Sequence, residues 1–185
     1  SSDLGDGRPD LLVGSFDTPP SVMLNDGAMT FHAMVLPPLP MTAFRARELS
    51  PADYDGDGDT DVYVVVNTGS PDPEGRRDFI LRNEGAAGFS VDTQSATSAG
   101  RGFDMVWADV DDDGDPDGYV VNDDGSNYES NRLLRNDDGV LVAGGEDCHC
   151  ELVHFGMGGD AADLNGDARP DLYLTSVAQI GRAHV

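Results

Sequence analysis

Short apolar runs alternate along the chain with polar segments that are rich in Asp, Gly and Asn. Four of the apolar runs follow the same kind of acidic segment and consist mostly of Val, Leu and Tyr. These runs are Leu11–Val13, Val62–Val66, Tyr119–Val121 and Leu172–Leu174. Short runs of β-branched and aromatic residues between turn-forming residues predict strands that are buried on both faces. Helical periodicity is weak along the whole chain.

A second pattern recurs later in the repeats: an apolar run that ends in Asn, an acidic residue and Gly. It occurs at Val22–Gly27, Phe79–Gly85 and Leu133–Gly139. Because Asn and Gly tolerate positive φ, this pattern predicts hairpin turns. Further strands are expected after the turns, at Thr30–Val35, Phe89–Asp92 and Val140–Ala143, and before the acidic segments, as at Gly102–Ala108. Four antiparallel strands in about 50 residues are typical of a propeller blade.

We therefore predict an all-β chain that forms a β-propeller fragment of four-stranded antiparallel blades. The predicted units are a partial blade without its first strand at residues 1–45, blades at 46–100 and 101–153, and the start of a further blade at 154–179. Residues 180–185 lack the pattern and resemble a translated sequencing adapter, so we expect a non-native tail. One blade cannot bury both of its faces, so the rest of its own propeller is an expected partner.

The acidic segments are nine-residue loops at 53–61, 109–117 and 163–171. Acidic residues at alternate positions place their side chains on one side of an extended chain, where like charges repel. A hard divalent cation with oxygen ligands relieves this repulsion, and calcium fits best. A fourth copy, at residues 3–10, is one residue short. Aligned from its end, this copy keeps Asp6 and Asp10 and leaves Asp3 out of register.

Each loop offers side-chain oxygens at positions 1, 3, 5 and 9 and a backbone carbonyl at position 7, which is most of a calcium coordination shell. The predicted side-chain ligands are Asp53, Asp55, Asp57, Asp61, Asp109, Asp111, Asp113, Asp117, Asp163, Asn165, Asp167 and Asp171; the carbonyl ligands are Asp59, Asp115 and Arg169; Asp6 and Asp10 are weaker candidates. Gly58 and Gly114 at position 6 permit a sharp turn. Ala168 at the same position is expected to strain the turn, and Asp112 is expected to face solvent.

Two other interpretations of the loops are less consistent with the pattern. An EF-hand shares the opening of the loop but requires an acidic residue at position 12 and flanking helices; position 12 here is Val64, Val120 or Leu174, inside a predicted strand. An acidic turn without metal would leave clustered carboxylates uncompensated. A disordered acidic tail is excluded because the acidic residues keep fixed offsets from apolar runs.

The chain has 185 residues and a formal net charge of −24, so nucleic acid and anionic membranes are not expected partners. No apolar stretch is long enough to insert into a membrane. The sequence contains no nucleophile elbow, zinc-protease motif or Gly-rich phosphate loop. Most carboxylates belong to the metal loops, where calcium-bound acids are poor proton donors, so we expect no enzymatic activity.

The nonapeptide followed by an apolar strand resembles the FG-GAP repeat of integrin α-chain propellers and its variant, the VCBS repeat. The stretch Asn131–Gly139 resembles the second signature of VCBS repeats and of ASPIC/UnbV-type (cartilage acidic protein-like) proteins, and Phe155–Asp163 resembles that group's lead-in to a blade. The resemblance covers nearly the whole chain apart from the last six residues. It implies a calcium-binding β-propeller, commonly seven-bladed, in adhesion, assembly or scaffold roles, and it implies no reaction.

Cys148-His149-Cys150 has two interpretations. With His154 nearby the segment could contact zinc, although the usual spacing is C-x-x-C with two further ligands. A loop disulfide, within the pair or to other sequence, fits an oxidising compartment better. Trp107 likewise has two interpretations, core packing between blades or an exposed ring for carbohydrate stacking, and we favour the first.

Two function classes follow from the sequence. The first is a non-catalytic, calcium-binding module that binds a protein or glycan ligand outside the cell or at its surface, in a bacterial protein. The second is an accessory propeller of a secreted enzyme, for example a polysaccharide-active one, whose catalytic residues lie elsewhere. The variable loops at Asn67–Arg77 and Asn122–Ser130 are the expected places for blade-specific binding.

Overall fold

A computed structural model describes residues 4, 6–16, 18–40, 45–68, 77–123, 128–144, 148–152 and 155–177. These residues form antiparallel β-sheets joined by turns and loops, with one short 3₁₀ turn at Gly85–Ala87. The all-β propeller fold class predicted from the repeats is confirmed. Asp3, His154, the predicted tail 180–185 and residues 69–76 and 124–127 of the two variable loops lie outside the described residues.

The described strands form four sheets, which we call blades 1 to 4. Blade 1 contains β1 (Leu11–Val13), β2 (Ser21–Gly27) and β3 (Thr30–Ala33). Blade 2 contains β4 (Ala46–Ala52), β5 (Asp61–Val66), β6 (Phe79–Asn83) and β7 (Phe89–Val91). Blade 3 contains β8 (Arg101–Ala108), β9 (Asp117–Asp123), β10 (Arg132–Asn136) and β11 (Leu141–Ala143). Blade 4 contains β12 (Gly156–Ala162) and β13 (Asp171–Ser176), and within every blade consecutive strands pair antiparallel.

The hairpin turn of blade 1 differs from the prediction. The chain does not turn at Asn25-Asp26-Gly27, because β2 continues through Gly27 with a bulge between Asn25 and Gly27. Ala28 and Met29 make the turn instead, at φ values of 50° and 63°. Two successive residues at positive φ match the twist of the flanking strands. The side chain of Asn25 instead accepts the N–H of Gly27 and donates to the carbonyl of Pro9.

The hydrophobic core lies between the blades. Along β5, Val62 and Val64 belong to the cluster shared with blade 1, whereas Tyr63 and Val65 belong to the cluster shared with blade 3. All six residues of β5 are buried, as predicted for a strand covered on both faces. Successive side chains of a strand point to opposite faces, so both neighbours are needed for this burial.

The same positions are more exposed in the first and fourth blades. Leu11, which corresponds to Val62 in register, is 49% exposed, while Val62 is fully buried. Tyr173, which corresponds to Tyr63, is 42% exposed, while Tyr63 is fully buried. Burial in this fold therefore depends on stacking of blades rather than on the single sheet.

A bulge recurs near the start of the first strand of blades 2, 3 and 4. It lies between Ala46 and Glu48, between Gly102 and Asp104, and between Gly156 and Gly158. A Cβ atom added to Gly102 would come within 2.3 Å of Val65 in the preceding blade, so this strand can approach closely only with Gly there. The bulges give these strands a common register.

Asp78 and Asn131 form matching contacts in blades 2 and 3. Asp78 Oδ1 accepts the N–H of Val66 (2.7 Å), and Asn131 Oδ1 accepts the N–H of Asn122 (2.8 Å). Tyr63 also donates its hydroxyl to Asp78 Oδ2 (3.0 Å). Burial raises the pKa of Asp78 well above its ordinary 3.8. A neutral group therefore serves at this position in both blades.

Asp78→Asn is expected to leave the free energy of unfolding at pH 8 unchanged or higher, within about 1 kcal/mol. A carboxyl whose pKa is raised by folding loses stabilising effect as pH rises from its unfolded pKa through its folded pKa, and Asn is free of that loss. Asp78→Ala, which leaves the Val66 N–H without a partner, should cost about 2–3 kcal/mol. Urea unfolding at pH 8 compares the two, and equal damage by both variants would contradict the interpretation.

Candidate metal centres

The three nine-residue loops share one backbone network. The position-1 carboxylate accepts the position-6 N–H: Asp53 from Gly58 (3.1 Å), Asp109 from Gly114 (3.0 Å) and Asp163 from Ala168 (2.9 Å). The position-5 carboxylate accepts the position-7 N–H: Asp57 from Asp59 (2.9 Å), Asp113 from Asp115 (3.0 Å) and Asp167 from Arg169 (3.0 Å). Side chains of Asp form such turns with their own backbone. The acidic residues therefore determine the backbone conformation of the loop as well as its negative charge.

Two positions in each loop require a left-handed backbone. Position 6 has φ values of 93° at Gly58, 100° at Gly114 and 68° at Ala168. The strain expected at Ala168 is thus present, and the left-handed conformation costs a residue with a Cβ about 1–2 kcal/mol. The sequence interpretation missed position 4, where Asp112 has a φ of 64°. Asp tolerates this region better than most residues.

In two loops the structure brings three carboxylates together. One oxygen each of Asp53, Asp55 and Asp61 lies within 4.8 Å of the others, and the same holds for Asp109, Asp111 and Asp117. These are positions 1, 3 and 9. The predicted position-5 ligands, Asp57 and Asp113, lie outside these clusters and face the position-7 N–H instead. Three converging carboxylates are the kind of oxygen donor set that hard divalent cations take.

The position-9 carboxylate is also a structural anchor. Asp117 is buried and accepts the N–H of Val110 (2.8 Å) with one oxygen and that of Asn136 (2.7 Å) with the other. Asp61 makes the same pair of contacts with Tyr54 (3.3 Å) and Asn83 (2.7 Å). This residue joins its loop to the third strand of the blade. Each oxygen keeps further lone pairs for a cation.

The electrostatics of the first cluster favour a cation. Burial raises the pKa of Asp61 to about 7, and the charges of Asp55 and Asp57 add to the rise. Burial also raises the pKa of Asp117, with contributions from Asp111 and Asp113. Negative charges held together in a partly dry site resist ionisation unless a positive charge is present.

Blade 2 supplies a positive charge of its own. Arg82 of β6 places Nη2 2.5 Å from Oδ2 of Asp55, whose side chain is almost fully buried. Arg82 also approaches Glu84, with Nε 3.7 Å from Oε1. The guanidinium thus compensates part of the acidic cluster around residues 53–61. In the corresponding place in β10, Arg135 is exposed.

The other two loops are assembled differently. In the loop at 163–171, Asn165 Oδ1 accepts the N–H of Asp167 (2.9 Å), and its amide Nδ2 lies 3.4 Å from Asp171 Oδ1. Asp171 accepts the N–H of Leu164 (2.9 Å). In the short loop, Asp10 is buried and accepts the N–H groups of Leu4 (2.9 Å) and Asn25 (2.8 Å), which is the position-9 anchor again.

Both of these loops also make contacts with arginines. Asp6 accepts the N–H of Arg8 (2.9 Å) and lies 3.7 Å from its guanidinium. Asp112 is exposed, as expected, and lies 3.3 Å from Nε of Arg169 in the loop of blade 4. Exposed ion pairs of this kind contribute little stability. The pair of Asp112 and Arg169 does connect two neighbouring loops.

Three asparagines hold the loops, and the sequence interpretation assigned them only to turns. Their Oδ1 atoms accept the N–H of the Gly that follows in the Asn-acid-Gly pattern. Their Nδ2 atoms donate to the carbonyl at position 8 of the acidic loop. The contacts are Asn25 with Gly27 and Pro9, Asn83 with Gly85 and Thr60, and Asn136 with Gly139 and Pro116. Asn136 also donates to the carbonyl of Tyr54 (2.6 Å) in the preceding blade. The sequence did contain a signal for this role, because this Asn recurs at a similar distance after each acidic loop.

Two smaller predictions are decided by the structure. Cys148 and Cys150 form a disulfide with a Cα–Cα distance of 5.1 Å, which confirms that alternative over zinc. His149 between them adopts a φ of 54°. Trp107 stacks on Tyr54 at 6.5 Å and meets the edge of Tyr63 at 6.3 Å, so it packs between blades 2 and 3.

Four-stranded antiparallel sheets that repeat in order, with an acidic loop between the first two strands, define the β-propeller class. The FG-GAP-like repeat family matches residues 4–64 and 53–120, and the chain belongs to that family. The likeness to ASPIC/UnbV-type sequences is not part of this match. No curated protein matches the chain.

Among solved structures, the fold is similar to a lectin of Agrocybe aegerita described by its specific recognition of non-reducing terminal N-acetylglucosamine. The TM-score is 0.52 and the sequence identity 19%, and the match covers 91% of this chain and 44% of the lectin chain. The chain thus spans less than half the length of that lectin, and at this identity the likeness concerns the fold. Among the described residues, no helix is long and apolar enough to cross a membrane.

Proposed function

We propose that the protein is a calcium-stabilised, non-catalytic binding module that recognises a protein or glycan outside a bacterial cell. One observation carries the proposal: in each of two loops, three carboxylates converge within 4.8 Å. Membership of the FG-GAP-like repeat family and the lectin fold of a structural neighbour support it. The ASPIC/UnbV resemblance of residues 131–139 belongs to the same proposal.

Calcium titration of the chelated protein by calorimetry tests the metal sites. We expect two sites with dissociation constants of about 10⁻⁴ to 10⁻³ M, as in other extracellular modules. Asp111→Ala should remove one of them, because it takes a carboxylate out of the cluster at 109–117. Asp112→Ala is the matched control, since Asp112 is exposed and lies outside that cluster. Absence of calcium heat in the wild-type protein would contradict the proposal.

The candidate ligand surface is the edge of the blades opposite the acidic loops. There the guanidinium of Arg47 lies between two rings, 4.3 Å from Phe103 and 5.9 Å from Phe16. In the described part of the chain, Arg47 contacts these two rings and forms no ion pair with a carboxylate. An arginine held on aromatic faces keeps its N–H groups available to an acceptor.

An open cavity of about 430 Å³ continues this surface towards blade 4. Phe103, Phe155, Met157 and Val177 line it, together with the carboxylate of Asp123. Apolar walls with a few polar groups are the usual composition of a ligand pocket. The surface thus combines ring faces, a guanidinium and a carboxylate. Ring faces suit the apolar face of a sugar, and the two charged groups suit its hydroxyls; a peptide with apolar and polar side chains would fit in the same way.

A panel of immobilised glycans and peptides tests this surface. A bound ligand should lose affinity at least about tenfold in Arg47→Ala, which corresponds to about 1.4 kcal/mol. Arg135→Ala is the matched control, because Arg135 is exposed near the acidic-loop edge. Equal binding by wild type and Arg47→Ala would place the ligand elsewhere on the molecule.

A further inference from the structure

Two carboxyl groups meet on the first strands of blades 2 and 3, away from the metal loops. Glu48 on β4 and Asp104 on β8 each follow the bulge of their strand and therefore share a register. The N–H of Met105 donates to Glu48 Oε2 (2.7 Å), and it also lies 2.9 Å from Asp104 Oδ1. Asp104 Oδ2 accepts the N–H of Gly159 on β12 (2.7 Å).

These contacts repeat from blade to blade. The carboxyl group after the bulge of one blade accepts the N–H two residues beyond the bulged position of the next blade. Glu48 thus reaches from blade 2 to Met105 in blade 3, and Asp104 reaches from blade 3 to Gly159 in blade 4. The first strand is the edge of each sheet, so these N–H groups have no neighbouring strand on that side. The two side chains satisfy them and connect three blades.

The geometry requires a proton. The N–H groups of Met105 and Gly159 carry no net charge to neutralise two carboxylates, and in the described residues neither Glu48 nor Asp104 forms an ion pair with Arg or His. One oxygen of each side chain lies within 2.9 Å of the same Met105 nitrogen, so the two carboxyl groups meet at one donor. Two like charges that share one donor disfavour each other, and a proton on Glu48 removes that repulsion.

We propose that Glu48 and Asp104 are a proton-binding site that clasps blades 2, 3 and 4 together and releases them when the proton is lost. With the proton bound, the pair carries one negative charge and satisfies both edge N–H groups. Without it, two adjacent negative charges face each other across the boundary between blades. Their repulsion separates β4 from β8 at the edge opposite the metal loops.

Within the part of the chain that the structure describes, no cation pairs with Glu48 or Asp104 in place of the proton. β8 contributes Asp104 itself, and the segment before β6 contributes Asp78, whose charge also disfavours ionisation of Glu48. β12 presents Gly158 and Gly159 there, and the charged residue of this strand, Asp160, is an acid that accepts the hydroxyl of Tyr173. On β4, Arg47 lies over Phe103.

Burial, the hydrogen bond to Asp104 and the charge of Asp104 raise the pKa of Glu48 from 4.5 to about 8, against the opposing effect of the Met105 N–H. The folded state therefore binds more protons than the unfolded state between these values. The contribution of this pair to stability is full below pH 4.5 and is lost as pH rises towards 8.

The decisive experiment is a ¹³C NMR titration of the Glu48 carboxyl in the wild-type chain, with calcium kept saturating so that the acidic loops do not change. The expected midpoint is near 8, and a midpoint near 4.5 would overturn the proposal. Hydrogen exchange gives a second readout. The amides of Met105 and Gly159 should exchange faster above pH 8 than the intrinsic tenfold per pH unit explains.

A variant separates the proton from the structure. Glu48→Gln keeps the acceptor for the Met105 N–H and offers its amide to Asp104, and it does not titrate. Between pH 6 and 9 the melting temperature of this variant should therefore change only through the other ionisable groups. The wild type should fall below Glu48→Gln by several degrees at pH 9. Glu84→Gln is the matched control, because Glu84 is exposed, and it should follow the wild type. Parallel curves for wild type and Glu48→Gln would refute the clasp.

Discussion

Chelation of calcium is expected to lower the free energy of unfolding by about 3–5 kcal/mol relative to the protein in about 10 mM calcium. A ligand that binds only the folded state stabilises it by RT ln(1 + [L]/Kd). With dissociation constants of about 10⁻⁴ to 10⁻³ M, this amounts to about 1.4–2.7 kcal/mol for each of two sites. Under the proposed function, the clusters at Asp53–Asp61 and Asp109–Asp117 are those sites. Urea unfolding in EDTA and in calcium measures the difference.

Two controls make this result specific. Asp111→Ala should reduce the effect of EDTA to about half, because one cluster remains. Magnesium at the same concentration should restore much less stability, because it requires a more regular octahedral shell. If EDTA leaves the unfolding curve of the wild type unchanged, the metal proposal is wrong.

Asp117→Ala is expected to destabilise the protein by about 3–5 kcal/mol even in EDTA. The carboxylate is buried and satisfies the N–H groups of Val110 and Asn136, which the substitution leaves without partners. The loss therefore does not depend on calcium. In calcium the loss should be larger by the contribution of one metal site.

Asp111→Ala is the matched comparison for this prediction. Asp111 belongs to the same cluster but is exposed, so its loss in EDTA should stay below about 0.5 kcal/mol. Urea unfolding of both variants with and without calcium gives four values. Equal losses for Asp111→Ala and Asp117→Ala in EDTA would contradict the anchoring role of position 9.

The fold was predictable because local signals agree and recur in phase. The acidic loop, the apolar run after it and the Asn-acid-Gly marker each restrict one part of the blade, and their repetition fixes the unit. β5 illustrates this, since five consecutive apolar residues between an acidic loop and a polar loop leave little besides a buried strand. The turn of blade 1 was misplaced because Ala28 and Met29 carry no turn signal.

The convergence of the acidic side chains was predictable only in part. Alternation predicted that positions 1, 3, 5 and 9 share a side of the loop, and in two loops the structure brings together positions 1, 3 and 9. Sequence alone did not indicate that Asp57 would face the N–H of Asp59, or that Arg82 from another strand would reach Asp55. Contacts such as Glu48 with Met105 depend on how blades stack, which no local pattern encodes.

The position of Asn136 has a consequence for how the two metal loops respond to calcium. Its single amide group donates to the carbonyl of Pro116 in one loop and to that of Tyr54 in the other. Ordering either loop therefore fixes a group that the second loop also uses, and the entropy cost of ordering is shared. Under the calcium proposal, the first ion prepares the site of the next, so the two sites fill with positive cooperativity along the row of blades.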